Sequence, residues 1–293
     1  MSPPARRACL VVPGSAPAML AKAAGRGADE IVIDLEDAVP PAAKLDARAA
    51  VLAALAELES AGAAVAVRVN APRTPWCHDD LAALAGAGTV LRSVVVPKVE
   101  SPGDLAFVER LLDGAEAAAG RGVPLRVQAL VETAAGVARV QQIAAGSPRL
   151  EALIVGYADL AASLGRMPAG AADPDLWDPV REAVLLAARA NALQAIDGPY
   201  LGLAPDAGFE AVACRARDAG FDGKWAIHPS QVAPLAALFT PGAEEVAHAR
   251  AVVAALEAAE RDGGRGAVEL DGQMVDEPVR LAALRVLVRA GAA

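Results

Sequence analysis

Eight short apolar runs, each followed by a helical segment, recur along the chain: ACLVV, EIVIDL, AVAVRV, SVVV, RVQALV, EALIV, LQAID and GKWAIH. They are nearly continuous in valine, isoleucine, leucine and alanine, as strands covered on both faces must be. Eight such units over about 240 residues have the size and rhythm of a (β/α)8 TIM barrel. A doubly wound open sheet has a similar rhythm, but no G-x-G-x-x-G follows the first run. The remainder departs from the pattern. After Thr240-Pro241-Gly242 comes a long helix, then the alternating stretch RGAVELDGQMVDEP with a turn at Asp271-Gly272, then a final helix. The expected division is an α/β barrel over 1–240 and a C-terminal helical extension over 241–293, an arm or lid that packs on its own barrel or on a neighbouring subunit.

Polar residues end nearly every run: Asp34, Glu36 and Asp37, Arg68 and Asn70, Lys98, Glu132, Asp159, Asp197 and His228. Strand ends of a barrel converge on one mouth, so these side chains share a site. Glu132 and Asp159 lie at the ends of the fifth and sixth runs, where two carboxylates hold one hard divalent cation and leave positions for water and substrate oxygens. Each acid taken alone reads more readily as a cap of the helix after it. Arg68, beside the acids of IDLED, suits bidentate binding of a substrate carboxylate or a structural salt bridge to Asp34 or Asp37. Lys98 reads as a Schiff-base lysine or a substrate-binding one. His228 reads as a general base or as part of a capped IHPSQ turn.

Composition removes other classes of function. A net charge of −9 and 3% aromatic residues argue against a nucleic-acid surface. The three cysteines, Cys9, Cys77 and Cys214, lack metal or redox spacing and read as free thiols in a reducing compartment. No window reads as a signal peptide or a charge-free spanning helix, so a soluble cytoplasmic protein is expected, with no membrane partner.

Ten segments in order then resemble one family: VVPGS with Lys22 after it, IDLEDAV with Lys44 and Arg48, VRVN, VPKVES, ALVETAAG, GYADLAASLG, AIDGPYLG, GFDGKWAIHPSQV, FTPG and DGQMVDEP. The chain resembles the citrate lyase β-subunit-like branch of the HpcH/HpaI aldolase family nearly end to end. The resemblance implies a Mg²⁺-dependent carbon–carbon lyase. It would cleave or form malyl-, citramalyl- or citryl-CoA, with acetyl-CoA and a 2-keto acid as the other side of the reaction. A malyl-CoA-type thioesterase and a citryl-CoA lyase subunit of a citrate lyase complex are the alternatives. It implies Glu132 and Asp159 as Mg²⁺ ligands, and Arg68 on the keto-acid end of the substrate. Glu36 and Asp37 would order metal-bound water and Arg68. Asn70, Lys98, Asp197, Lys224 and His228 would contact substrate or CoA. Asp276 would be a catalytic aspartate on an arm reaching a neighbour's site in a homotrimer or hexamer. The run DGPYLGLAP after the seventh strand, rich in glycine and proline, departs from the family's pattern.

Overall fold

The computed structural model describes residues 5–60, 64–167, 174–261, 263 and 266–291. All eight runs form strands: β1 Ala8–Pro13, β2 Glu30–Asp34, β3 Val65–Arg68, β4 Leu91–Val96, β5 Arg126–Val131, β6 Leu150–Val155, β7 Gln194–Asp197 and β8 Gly223–Ala226. They pair in sequence order as one closed parallel barrel, sealed where Ala8 meets Lys224. Helices separate the strands, so both strand faces are covered, and every residue of β2, β7 and β8 is buried. Inward residues from alternating positions, among them Cys9, Val32, Val95, Ile154, Ile196 and Trp225, fill the interior.

Local signals set the helix ends. Ser101 and Asp104 form a reciprocal capping box at the start of the helix Pro102–Ala119, and Gly120 ends it in the left-handed conformation at φ 69°. The stretch VARVQQIA has helical spacing but is broken at Arg139, whose φ of −117° leaves the helical region between Ala134–Ala138 and Val140–Ala144. At the barrel seam a side chain at position 223 would sit 1.8 Å from the Arg6 carbonyl oxygen, so only glycine admits β8 there. Beneath the barrel, buried Arg6 bonds to Glu30 at 3.0 Å and also pairs with Gln194 and Glu151. This charged floor borders a cavity of about 780 Å³ at the N-terminal ends of β5, β6 and β7, remote from the strand-end residues.

The chain divides into two compact units, 1–236 and 237–293. The second is not purely helical. The helix Ala243–Arg261 and the helix Glu277–Arg289 pack with an antiparallel hairpin, β9 Ala267–Leu270 and β10 Gln273–Asp276. Its turn is Asp271-Gly272, at φ 51° and 79°, the two positive values of a type I′ turn. Val252, Leu256, Val275 and Leu287 form the unit's own core.

Candidate active site

Asp34 closes β2 and Arg68 closes β3, and the strand register sets them side by side. Asp34 is fully buried and accepts from the backbone N–H of Glu36 at 2.8 Å and of Ala38 at 3.0 Å. It also takes both arms of Arg68, Nε at 2.7 Å and Nη2 at 2.6 Å. Nη1 of Arg68 lies 3.1 Å from Glu36 Oε2, an acceptor otherwise without a hydrogen-bond partner. Burial opposes the Arg68 charge, but Asp34, Glu36 and Glu132 outweigh it and raise the pKa above its ordinary value. Lys44 fixes the loop after β2 from behind, its ammonium donating to the carbonyls of Leu35 at 2.8 Å and Glu36 at 2.7 Å.

Lys98 follows β4 and links the acids. Its ammonium pairs with Glu36 and lies 3.2 Å from Asp37 and 3.4 Å from Asp159. Its backbone N–H donates to Glu132 Oε1 at 2.9 Å. Burial lowers the Lys98 pKa, yet Glu36, Glu132 and Asp159 raise it further, to a net value above the ordinary one. The surrounding carboxylates favour the charged ammonium over the neutral amine that an imine-forming lysine needs. Glu36 is raised by burial despite Arg68 and Lys98. Asp37 is lowered because Lys98 and Arg68 outweigh its partial burial.

Glu132 is buried and pushed up to about 8, by burial first and then by repulsion from Asp159 and Glu36. That is a cluster short of positive charge. Gly156 brings the next strand against it: a Cβ there would fall 2.5 Å from both Cβ and Oε2 of Glu132. Among the described residues no three His, Cys, Asp or Glu side chains form a metal-binding group. Two hard oxygen donors, one of them raised by burial and by its acidic neighbours, still fit a dication that completes its coordination with other oxygens.

The model of the HpcH/HpaI aldolase/citrate lyase family matches residues 7–229. The chain belongs to the HpcH/HpaI aldolase/citrate lyase family. It is 39% identical over 293 residues to an L-malyl-CoA/β-methylmalyl-CoA lyase of Cereibacter sphaeroides, across 94% of this chain and 92% of that one. It is 35% identical to the citrate lyase β subunit of Leuconostoc mesenteroides subsp. cremoris, across 98% and 94%. The crystal structure of CitE from Mycobacterium tuberculosis in complex with magnesium, acetoacetate and coenzyme A superposes with a TM-score of 0.78, at 34% identity and 98% coverage of both chains.

Within this HpcH/HpaI fold, Glu36, Asp37, Arg68, Lys98, Glu132 and Asp159 come together as one cluster. Within the cluster Arg68 is clamped by Asp34 and Glu36, and Asp37 is exposed, 3.2 Å from the Lys98 ammonium. The other residues singled out in the sequence, Asn70, Asp197, Lys224, His228 and Asp276, lie outside this cluster. Asn70 is buried and gives its amide to Asp80 at 2.6 Å, and Asp80 is held in turn by Arg48 at 2.7 Å. That occupation is structural. Asp197 and Lys224 are register partners on β7 and β8 and form a fully buried ion pair at 2.5 Å, so they are closed to a CoA chain. His228 lies two residues beyond the end of β8. It is exposed and its Nδ1 caps the turn Pro229–Gln231, bonded to Ser230 Oγ at 2.7 Å. Asp276 caps the helix Glu277–Arg289 in the second unit, accepting from Val279 N–H at 3.4 Å.

Sequence reasoning overlooked Trp225, whose ring lies 5.8 Å from the Arg68 guanidinium carbon, and Tyr157, bonded to Asp197 and Arg181. The chain has 3 tryptophans and 2 tyrosines, so an aromatic beside a strand end was itself the signal.

Proposed function

We propose that the protein is a Mg²⁺-dependent acyl-CoA lyase that cleaves a β-hydroxyacyl-CoA of the malyl-CoA type to acetyl-CoA and a 2-keto acid, or runs the reverse condensation. The observation that carries this is the cluster of Glu132, Asp159, Lys98 and the Asp34-clamped Arg68 at the carboxyl ends of the barrel strands. The preference for a lyase over a thioesterase rests on the 39% identity to malyl-CoA/β-methylmalyl-CoA lyases.

Glu132 and Asp159 would hold the metal. Bound there, Mg²⁺ supplies Lewis-acid polarisation that lowers the pKa of the substrate hydroxyl. Cleavage removes the hydroxyl proton, breaks the bond between the carbinol carbon and the thioester α-carbon, and moves its electron pair into the thioester enolate. The carbinol carbon leaves as a 2-keto acid. Arg68 has Nε and Nη2 committed to Asp34, so its Nη1, shared with Glu36, would receive the acid end and offset its charge. Glu36 and Lys98 orient that side of the guanidinium and neutralise the surrounding acids. Protonating the enolate carbon then yields acetyl-CoA. That proton exchange is assigned to Asp276 of an adjacent subunit, with the arm 241–293 crossing between subunits of a homotrimer or hexamer.

Two features support the assembly. Leu281, Leu284 and Val288 form an exposed apolar stripe on the last helix, and Met274 is exposed on the hairpin. The free thiols Cys9, Cys77 and Cys214 support a cytoplasmic setting. Among the described residues no helix is long and apolar enough to cross a membrane.

The test is turnover of purified protein against malyl-, citramalyl- and citryl-CoA, with and without Mg²⁺. Metal-dependent appearance of acetyl-CoA with the matching keto acid is expected. Free CoA with intact malate would replace the lyase by a thioesterase.

A further inference from the structure

Asp159 is placed by its backbone rather than by its own bonds. Its side chain has Lys98, at 3.4 Å, as its partner among the described residues. It is the third residue of the helix Tyr157–Ser163, so the turn that starts this helix fixes where its carboxylate stands.

That turn is fastened at two adjacent residues. Gly156 donates its N–H to Val131 O at 3.1 Å and lies flush against Glu132. Tyr157 is held on the other side. Its hydroxyl donates to Asp197 Oδ1 and accepts from Arg181 Nε at 2.9 Å. Its ring lies 5.2 Å from Trp177 and 5.3 Å from the Arg181 guanidinium. Asp197 is in turn fixed by Lys224, whose ammonium also donates to Gly198 O at 2.5 Å. Gly198 leaves no slack, since a Cβ there would lie 2.8 Å from the tyrosine ring. Two buried cations and one buried carboxylate thus converge on the Tyr157 phenol, two positions from Asp159, and take no part in the reaction described above. A buried network of this kind fixes a single geometry when every member is satisfied.

We propose that Tyr157 is a positioning residue that sets the distance of Asp159 from Glu132 through its hydroxyl tether to Asp197 and Arg181. This rests on the reading that Glu132 and Asp159 share a divalent cation. Mn²⁺, which takes the same oxygen ligands as Mg²⁺, reports on the pair directly.

The experiment is a Mn²⁺ titration of the full-length protein followed by electron paramagnetic resonance, without substrate, alongside thermal unfolding of the metal-free protein. Wild type should bind, Glu132→Gln should not, and Tyr157→Phe should bind about tenfold more weakly, as for other residues that orient a metal ligand. Arg181→Lys, which keeps the charge but loses the Nε donor, should shift the affinity the same way and serves if the phenylalanine variant folds poorly. Wild-type Mn²⁺ affinity in the tyrosine and arginine variants, even with a lowered unfolding midpoint, would mean the network only stabilises the fold and would overturn the inference alone. Equal binding by wild type and Glu132→Gln would overturn the metal reading and this inference with it.

Discussion

Lys98 donates its backbone N–H to Glu132 at 2.9 Å from a left-handed backbone, φ 52°. A side chain in that region costs about 1 kcal/mol per residue. The same residue sends its ammonium to Glu36, Asp37 and Asp159. One strained residue therefore serves four acids, which is the setting in which such strain persists.

Lys98→Gly and Lys98→Ala both lose the ammonium, but only glycine relieves the backbone. The glycine variant should be the more stable by about 1 kcal/mol, reversing the usual order of the two residues. Urea unfolding measures this, and an alanine variant of equal or greater stability would contradict it.

Arg68→Lys keeps a positive charge but loses the planar fork that meets Asp34 at 2.7 and 2.6 Å. Cleavage of malyl-CoA should fall about 100-fold in kcat/KM, roughly 2.7 kcal/mol of transition-state stabilisation. Near-normal turnover would show that charge alone suffices.

The Glu132 carboxyl, raised from 4.5 to about 8 by burial, Asp159 and Glu36, is more protonated in the folded than in the unfolded chain. Metal-free protein therefore loses stability as pH rises from 4.5 towards 8. Glu132→Gln cannot ionise and escapes this loss. Without metal it should melt several degrees above wild type at pH 8, at about 2–4 °C per kcal/mol, and close to it at pH 5. Mg²⁺ should reverse the ranking at pH 8, because it stabilises only the chain that keeps both ligands. Differential scanning calorimetry with and without a chelator checks both signs.

Asp276→Asn retains a capping side chain, so it should melt within about a degree of wild type, whereas Asp276→Ala should lose about 1 kcal/mol from the last helix. Both should bind Mg²⁺ and turn over no substrate. Mixing Asp276→Asn with inactive Glu132→Ala under subunit exchange should restore part of the activity. No recovery after verified exchange would assign the aspartate to its own barrel or to the cap alone.

The barrel was legible because buried parallel strands need long apolar runs, and the chain writes eight of them between helices. The cluster was legible in part, since strand ends point to one mouth. What sequence could not resolve was how adjacent polar residues divide their partners. Asp34, Glu36 and Asp37 are equivalent as letters, yet only Asp34 sits at the register position opposite Arg68. Asp197 and Lys224 lie 27 residues apart in sequence. Their burial as a pair is a property of β7 against β8, so each read separately as a ligand-binding residue. His228 was placed at a strand end because IH continues the apolar run, but β8 stops at Ala226.

Barrel closure has a consequence for synthesis. The seam joins Ala8–Leu10 to Lys224–Ala226, so a chain leaving the ribosome N-terminus first holds β1 with one open edge until nearly all of the barrel has been made. An open edge invites pairing with another nascent chain. Arg6 and Arg7 immediately precede that strand, and the native acid partners of Arg6 are Glu30, on β2, and Glu151, on β6, which is made much later. The charge that pins the floor of the finished barrel is thus without its native partners on the partly made chain, where a charged residue beside an open strand edge opposes edge-to-edge pairing.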